Sequence, residues 1–277
     1  MNSPHSFLSQ HRHHRVDAPP GNVLNDLSAD TPLYIHARNW MAEMASITYL
    51  TECVMDDESQ IACYPEQGLY LSLDHIEYLH TVAIEHRSRA SLALEIATDG
   101  EPRAISISAI PLLSDLPAFT ACLAEQPFHP LSAENYEKWR ASHLTRPSIC
   151  SCCADAAEER RKKPEIHPLT KIFHHAIEQQ MTLHCCLASP AFRFFRSILP
   201  GALLFQGGRI TLTSQDGNSM LEIDPGYCHS LTLHRTSIDA EPMTRLRIYN
   251  SLGTPELTIE TPDWDACDQW LSLCRQC

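Results

Sequence analysis

The sequence predicts an α+β fold made of two tandem, similar halves, each an antiparallel β-sheet meander flanked by helices, joined by a helical connector. Three observations support this prediction. Short segments bounded by turn residues predict strands, whereas segments with apolar residues three and four positions apart predict helices. The same order of predicted elements occurs twice. The chain has 277 residues, which is enough for two modest cores.

The predicted organisation has four parts. Residues 1–28 are polar and contain Pro19-Pro20-Gly21, so we expect a disordered leader there. Residues 29–128 are the N-terminal half, residues 129–188 are a helical connector rich in Cys and His, and residues 189–277 are the C-terminal half.

The N-terminal half is predicted to begin with a helix over Thr31–Met55, because its apolar residues are mostly three and four positions apart. Five strands and a closing helix follow, and Asp99-Gly100 marks a hairpin between the last two strands. The predicted strands are Gln60–Tyr64, Gly68–Leu73, Thr81–Glu85, Ser91–Ala97 and Arg103–Ile110, and the closing helix is Ser114–Gln126.

The C-terminal half repeats this plan. A helix is predicted over Ser189–Leu199, with Phe192, Phe195 and Ile198 on one face. The predicted strands are Ala202–Phe205, Arg209–Ser214, Ser219–Ile223, Ser230–Arg235, Arg245–Asn250 and Glu256–Thr261, and the closing helix is Asp263–Cys274.

Stretches of sequence in the two halves resemble one another. GLYLSL, beginning at Gly68, aligns with GRITLT, beginning at Gly208. SLALEIATDGEPRAISI, from Ser91, aligns with RLRIYNSLGTPELTIE, from Arg245. The common order and spacing indicate an internal duplication of about 100 residues per copy; chance similarity of two meanders is the alternative.

Charge and composition limit the classes of partner. The formal net charge of −13 disfavours non-specific binding to nucleic acid or to an anionic membrane. No apolar run approaches the ~20 residues that span a bilayer, and the first residues lack the apolar core of a secretory signal. We therefore expect a cytoplasmic protein that binds no nucleic acid and does not insert in membranes. In that compartment its 12 cysteines would be free thiols or metal ligands.

Five stretches of the sequence resemble motifs of one known protein family. GALLFQGGRITLT (Gly201–Thr213) resembles the family's strand–NRG–strand stretch, and LEIDPGYCHSL (Leu221–Leu231) resembles its Asp-Pro segment. TRLRIYNSLGTPELTI (Thr244–Ile259) resembles its closing hairpin. In the N-terminal half, CYPEQGLY (Cys63–Tyr70) resembles VHEKHGVY, and IEHRSRASLALEI (Ile84–Ile96) takes the place of the strand that contains RHW.

The sequence therefore resembles the HemS/ChuX family of haem-utilisation proteins. The resemblance covers about residues 33–277, although the family's LTRNE signature reads DDES at residues 56–59. It implies a tandem duplication of an α+β unit and haem b as the bound group. Haem binding requires an axial ligand for the iron, basic groups for the two propionates and an apolar slot.

The resemblance implies His167, in EIHPLTKIF, as the iron ligand, because this stretch is similar to the family's DVHQF-like sequence. His143 is an alternative, since Trp139-Arg140 before it resembles the family's WRAL. His174, seven residues beyond His167 on the same face of the predicted helix Ile166–Leu187, is a third candidate.

For the propionates, Arg235 aligns roughly with a basic pair of the family, and Arg245 and Arg247 lie on the next predicted strand. Tyr249 shares a strand face with Arg247. Arg87, from the N-terminal half, is expected to approach from the opposite side. Arginine suits this role because its planar fork pairs bidentately with carboxylate.

The implied function is a cytoplasmic haem-binding protein for iron utilisation. It would take haem from a donor protein and pass it to an acceptor or assist its degradation, and the sequence does not distinguish a carrier from an enzyme. One alternative is an interaction protein that kept the fold and lost haem. Another is a metal or redox sensor built on the connector, where Cys150, Cys152, Cys153, His184, Cys185 and Cys186 would supply zinc or iron–sulfur ligands.

Overall fold

The computed structural model describes residues 13–27, 32–56, 58–86, 89–110, 118–144, 149, 151–238 and 240–275. Contacts divide the chain into two compact units. Unit 1 comprises Met1–Ala37, Ile47–Arg146 and Pro190–Arg193, and unit 2 comprises Arg38–Ser46, Pro147–Ser189 and Phe194–Cys277.

The described residues form eighteen strands and six α-helices. The strands are β1 (His13–Val16), β2 (Leu33–Arg38), β3 (Ala42–Thr48), β4 (Val54–Asp56), β5 (Ile61–Tyr64), β6 (Leu69–Ser72), β7 (Ile76–His86), β8 (Arg89–Thr98), β9 (Glu101–Ala109), β10 (Phe128–Leu131), β11 (Leu183–Ala188), β12 (Phe192–Ile198), β13 (Pro200–Gln206), β14 (Arg209–Ser214), β15 (Ser219–Ile223), β16 (Ser230–Ile238), β17 (Glu241–Tyr249) and β18 (Pro255–Thr261). The helices are α1 (Pro20–Asp26), α2 (Ala118–Glu125), α3 (Ala133–His143), α4 (Ser151–Lys162), α5 (Pro168–Glu178) and α6 (Ala266–Arg275).

In unit 1, six neighbouring strands run in the order β10-β1-β7-β8-β9-β2, and three more run in the order β6-β5-β4. Neighbouring strands within these two groups pair antiparallel. Helix α3 contacts β9, and its buried Tyr136 reaches Glu95 on β8. The hydroxyl of buried Tyr64 donates to the carbonyl oxygen of Leu24 at 2.5 Å and so fixes α1 against β5.

In unit 2, the strand orders are β16-β17-β18-β11-β12 and β3-β15-β14-β13. Helix α5 is amphipathic and packs against β13 and α6, and α6 also contacts β16 and β17. Trp270 of α6 is fully buried, and its indole Nε1 donates to His175 Nδ1 of α5 at 3.3 Å. The buried face of α5 consists of Leu169, Thr170, Ile172, Phe173 and Ala176.

The α+β fold class with antiparallel sheets is confirmed. The chain repeats one series of strands: β4 to β6 precede the meander β7-β8-β9, and β13 to β15 precede the meander β16-β17-β18. All six strands predicted for the C-terminal half are present, and the four that begin at Arg209, Ser230, Arg245 and Glu256 alternate polar and apolar residues in the sequence. The tandem relationship of the two halves stays a prediction.

The helix predicted over Thr31–Met55 is wrong: β2, β3 and β4 occupy this segment. Leu33, Ile35 and Ala37 are fully buried and alternate with more exposed residues, which is the period of a strand. In the rest of the segment Thr31–Met55, several apolar residues lie three positions apart, which is also the spacing of an amphipathic helix.

Two further helix predictions are corrected. Ser189–Leu199 contains strand β12, in which buried Phe192 and Phe194 alternate with exposed residues. The helix predicted over Ile166–Leu187 is α5 only as far as Glu178. Gln180 then has a φ of +51°, which breaks the helix, and β11 follows.

The leader and the connector also differ from expectation. Residues 13–26, predicted to be disordered, form β1 and α1, while residues 1–12 lie outside the described residues. The connector contains β10 and β11 besides its helices. The predicted helix Ser114–Gln126 corresponds to α2 where the chain is described. Among the described residues, none of helices α1 to α6 has both the length and the apolar composition of a membrane-spanning segment.

Candidate functional site

His167 lies in unit 2 at the N-terminus of α5, where it is the N-cap residue. Its Nδ1 accepts a hydrogen bond from the backbone N–H of Leu169 at 3.3 Å. Pro168 follows at the first helical position, where its missing N–H costs nothing. Because a neutral imidazole carries one N–H and Nδ1 is the acceptor, the proton of His167 lies on Nε2.

The surroundings of His167 keep its imidazole neutral. The side chain is only 8% exposed, and burial lowers its pKa to about 4, with a further contribution from the positive charge of Arg160. Arg160 donates to the carbonyl oxygens of Pro225 and Gly226 at 2.9 and 3.0 Å. His167 is therefore a neutral helix cap beside a fixed guanidinium.

His143 lies in unit 1, in the last turn of α3, and its hydrogen bonding is the reverse of that of His167. Its Nδ1 is 2.9 Å from the carbonyl oxygen of Trp139 and 3.1 Å from the hydroxyl of Ser142. A carbonyl oxygen only accepts, so Nδ1 is the donor. In the neutral ring this arrangement leaves a lone pair on Nε2.

Around His143 the structure assembles an aromatic cluster, which we define as Tyr78, His80, Tyr136, Trp139 and His143. Tyr78 and His80 are two residues apart and share one face of β7, while the other three lie on one face of α3. Ring centroids are 4.8 Å apart for Trp139 and His143, 5.7 Å for Tyr78 and Trp139, and 4.3 Å for His80 and Trp139. The outer members Tyr78, Trp139 and His143 are half-buried.

Charged residues border the aromatic cluster on two sides. On β1, the guanidinium of Arg15 lies 4.1 Å from the centroid of the Tyr78 ring. Beneath the cluster, the Tyr136 hydroxyl donates to the buried carboxylate of Glu95, and Arg103 Nε lies 2.9 Å from the same carboxylate. The buried negative charge of Glu95 is thus paired with Arg103. Arg15, by contrast, is exposed.

His80, like Tyr136, is a buried member of the aromatic cluster. It is 2% exposed, and burial lowers its pKa to about 4, assisted by the positive charges of Arg15, His13 and His143. His80 therefore remains uncharged at neutral pH, and its role in the cluster is packing against Trp139.

The structure places Arg235 and Arg247 on opposite faces of the sheet. Arg235 is opposite Thr244 in the β16–β17 register, and Arg247 is three positions beyond Thr244 on β17. Arg235 Nη2 is 2.6 Å from Asp268 of α6, and Arg235 lies over the Trp264 ring at 5.4 Å. Arg235 therefore holds α6 against the sheet and does not meet Arg247.

Arg247 and Tyr249 do share a face, as the sequence predicts. Hydrogen bonds from Thr232 and Arg247 lower the pKa of the Tyr249 hydroxyl. Arg245, on the same face, pairs with Glu260. His174 is exposed on α5, away from the cap position of His167, and Arg87 lies outside the described residues.

The cysteines of the connector do not converge on a metal site in the described structure. Cys152 is exposed on α4, whereas Cys185 is buried on β11, where burial raises the pKa of its thiol to about 12. Across the described part of the chain, no three His, Cys, Asp or Glu side chains are grouped to hold a metal ion. Cys150 lies outside that part.

Sequence reasoning missed Arg15, Tyr78 and His80. The usable signal was the two-residue spacing of Tyr78 and His80 in a strand-forming segment, which puts both on one face. Arg15 was not a candidate because it lies in residues 1–28, for which the sequence predicts a disordered leader. Its pairing with β7 is a long-range contact that local sequence does not specify.

No family model and no curated protein matches the sequence. Solved structures do match. The heme degrading enzyme ChuS of Escherichia coli O157:H7 is similar over 95% of this chain and 87% of its own, with a TM-score of 0.68 and 9% identity. A second structure of ChuS, described as an E. coli heme oxygenase, is similar over 100% of this chain and 92% of its own, with a TM-score of 0.65 and 10% identity.

Holo-PhuS, a heme-binding protein from Pseudomonas aeruginosa, is similar over 95% of this chain and 86% of its own, with a TM-score of 0.63 and 12% identity. At these identities the likeness establishes the fold. The resemblance stated from the sequence is confirmed at that level: this chain has the fold of ChuS and PhuS across nearly its whole length.

Proposed function

We propose that this chain is a cytoplasmic haem-binding protein, which accepts haem from a donor protein and passes it on or takes part in its breakdown. The observation that carries the proposal is the likeness in fold, over 95% or more of the chain, to ChuS and holo-PhuS. A likeness confined to one half would support much less, because one α+β fold serves many functions.

The residues present include candidates for each of the three requirements for haem. The half-buried rings of Tyr78 and Trp139 offer the apolar and aromatic surface that a macrocycle needs, and the imidazoles of His143 and His167 are candidate iron ligands. Arg15, Arg247 and Tyr249 are candidate partners for the propionates. Arg235 is occupied by Asp268 and is the weakest of the predicted set.

Haem itself would supply the oxidative chemistry if the ring is opened, given oxygen and an electron donor. The contribution of the protein would be to hold the iron through one imidazole, to pair the propionates and to shield one face of the ring. A carrier requires only the first two of these contributions, and binding is therefore the activity that a carrier and an enzyme would share.

The test is a haem titration of the full-length, tag-free protein followed by absorbance. We expect a saturable Soret shift with one haem per chain, unchanged in a His174→Ala control, because His174 is an exposed histidine on α5. A spectrum that stays identical to that of free haem at every ratio would contradict the proposal.

A second candidate is the alternative stated from the sequence, an interaction protein that kept the fold without haem. The predicted propionate partners include Arg235 and Arg247. These two residues lie on opposite faces of the sheet, so they cannot bind the same carboxylate together. The absence of a Soret shift in the same titration is the result that this candidate predicts.

A further inference from the structure

The two candidate iron ligands, His143 and His167, differ in which ring nitrogen donates a hydrogen bond and which one accepts. Iron binds the lone pair of an imidazole nitrogen, and a ligating histidine commonly donates its other N–H to a carbonyl oxygen or a carboxylate. His143 has this arrangement already, because its Nδ1 donates to the carbonyl oxygen of Trp139. The nitrogen that is left for a metal is Nε2.

His167 has the opposite arrangement. Its Nδ1 lone pair is used by the backbone N–H of Leu169, and its Nε2 carries the proton. Iron could replace that proton only if the ring became anionic or if the cap on α5 were broken. The first course is opposed by burial, which disfavours a charged ring, and the second removes the hydrogen bond that begins the helix.

The groups near His143 also suit haem better than those near His167. Trp139 and Tyr78 lie beside the His143 ring at 4.8 and 6.1 Å and are half-buried, so they present aromatic surface to a planar ligand. Arg15 continues this row, 4.1 Å from the Tyr78 ring. Near His167 the basic group is Arg160, and backbone carbonyl oxygens already engage its Nε and Nη2.

We infer that His143, and not His167, is the residue that ligates the haem iron in this chain, and that Arg15 pairs with a haem propionate. The inference rests on the proposed function. The haem lies against Tyr78 and Trp139, and the Trp139 carbonyl oxygen fixes the tautomer of the ligand. His167 remains the cap of α5.

The experiment compares haem titrations of the full-length wild type, His143→Ala and His167→Ala, with far-UV circular dichroism to verify folding. We expect His143→Ala to weaken haem binding at least about tenfold, as the loss of a ligand should. His167→Ala should bind haem as the wild type does, with a lower thermal midpoint from the lost cap. Added imidazole should restore the wild-type Soret band in His143→Gly.

The outcomes separate the inference from the proposed function. If His167→Ala alone abolishes the Soret shift, or if neither variant changes it, haem binding stands and the assignment of His143 is overturned. If the wild type shows no shift, the proposed function has failed first. His143→Gln, which keeps a polar side chain at the end of α3, replaces His143→Ala if the latter is unfolded.

The role of Arg15 has its own test. Arg15→Met should weaken the binding of haem about tenfold, since it removes a charge-assisted pair with a carboxylate. It should leave the binding of haem dimethyl ester, which has no free propionates, unchanged. The matched control is Arg235→Met, and an equal loss for haem and its dimethyl ester in Arg15→Met would contradict the pairing.

Discussion

At the scale of single residues, hydrogen bonds determine which ring nitrogen of each candidate histidine faces a donor and which faces an acceptor. The sequence supplies the candidates, His143 and His167, but it contains no information about which ring nitrogen carries the proton. That information comes from one carbonyl oxygen and one backbone N–H. Neither partner is a side chain, so no sequence pattern could have ranked the two.

Buried His80 makes stability depend on pH. Its pKa is lowered to about 4 in the folded protein, below the usual value of 6.5, so the unfolded chain binds more protons between these two values. The contribution of neutral His80 to the free energy of unfolding is therefore fully present above about pH 6.5, and it is lost as the pH falls toward 4. From pH 7 to pH 5 we expect His80 to account for a loss of about 2 kcal/mol in the free energy of unfolding.

The measurement is urea unfolding of the wild type and His80→Phe at pH 7 and at pH 5. Phe keeps a ring against Trp139 and cannot be protonated, so the variant should lose about 2 kcal/mol less on acidification. His174→Phe, at an exposed position of α5, is the control and should behave as the wild type. Equal losses in wild type and His80→Phe would show that His80 is not held neutral by burial.

The position of Arg235 leads to a second prediction at this scale. Because Arg235 pairs with Asp268, whose side chain is largely exposed, Arg235→Met should lower stability by less than about 1 kcal/mol. It should leave haem affinity unchanged. A large loss of affinity in a haem titration would instead place Arg235 at the haem, as the sequence resemblance implied.

At the scale of elements, sequence predicted the strands better than the helices. Segments such as Arg209–Ser214 and Glu256–Thr261 have turn residues at their ends and apolar residues in alternation, and both features act locally. The helices predicted over Thr31–Met55 and Ser189–Leu199 were wrong because several apolar residues happened to lie three or four apart. Burial within a sheet then overrode that spacing.

The turn between β13 and β14 provides a matched test of packing. Gly207 and Gly208 both have positive φ, +59° and +78°, so alanine is strained at either position. A Cβ at Gly207 would meet nothing within 4 Å, whereas one at Gly208 would lie 2.8 Å from the carbonyl oxygen of Arg161. The difference in unfolding free energy between Gly207→Ala and Gly208→Ala therefore measures the effect of the contact with α4.

We expect Gly207→Ala to cost about 1 kcal/mol from backbone strain, and Gly208→Ala to cost about 1–3 kcal/mol more from overpacking. Chemical denaturation of both variants measures this difference. Equal costs would indicate that α4 does not pack against this turn.

At the scale of the whole chain, the likeness to ChuS and PhuS at 9–12% identity shows that sequences this different adopt the same fold. The five strands predicted between residues 60 and 110 and the six predicted between residues 202 and 261 are present, whereas the division into two similar halves stays a prediction. The contributions of β1 to the candidate site could not be predicted, since β1 pairs with β7 some sixty residues later in the chain. Long-range pairing of this kind depends on the complete core rather than on local pattern.

For the whole molecule, the position of the haem iron decides between His143 and His167 as the ligand. The most direct test is a crystal structure of the full-length protein with haem bound. We expect the iron on Nε2 of His143, with Nδ1 still donating to the Trp139 carbonyl oxygen and a propionate beside Arg15. Iron on His167, or protein that crystallises without haem when haem is supplied in excess, would contradict this claim.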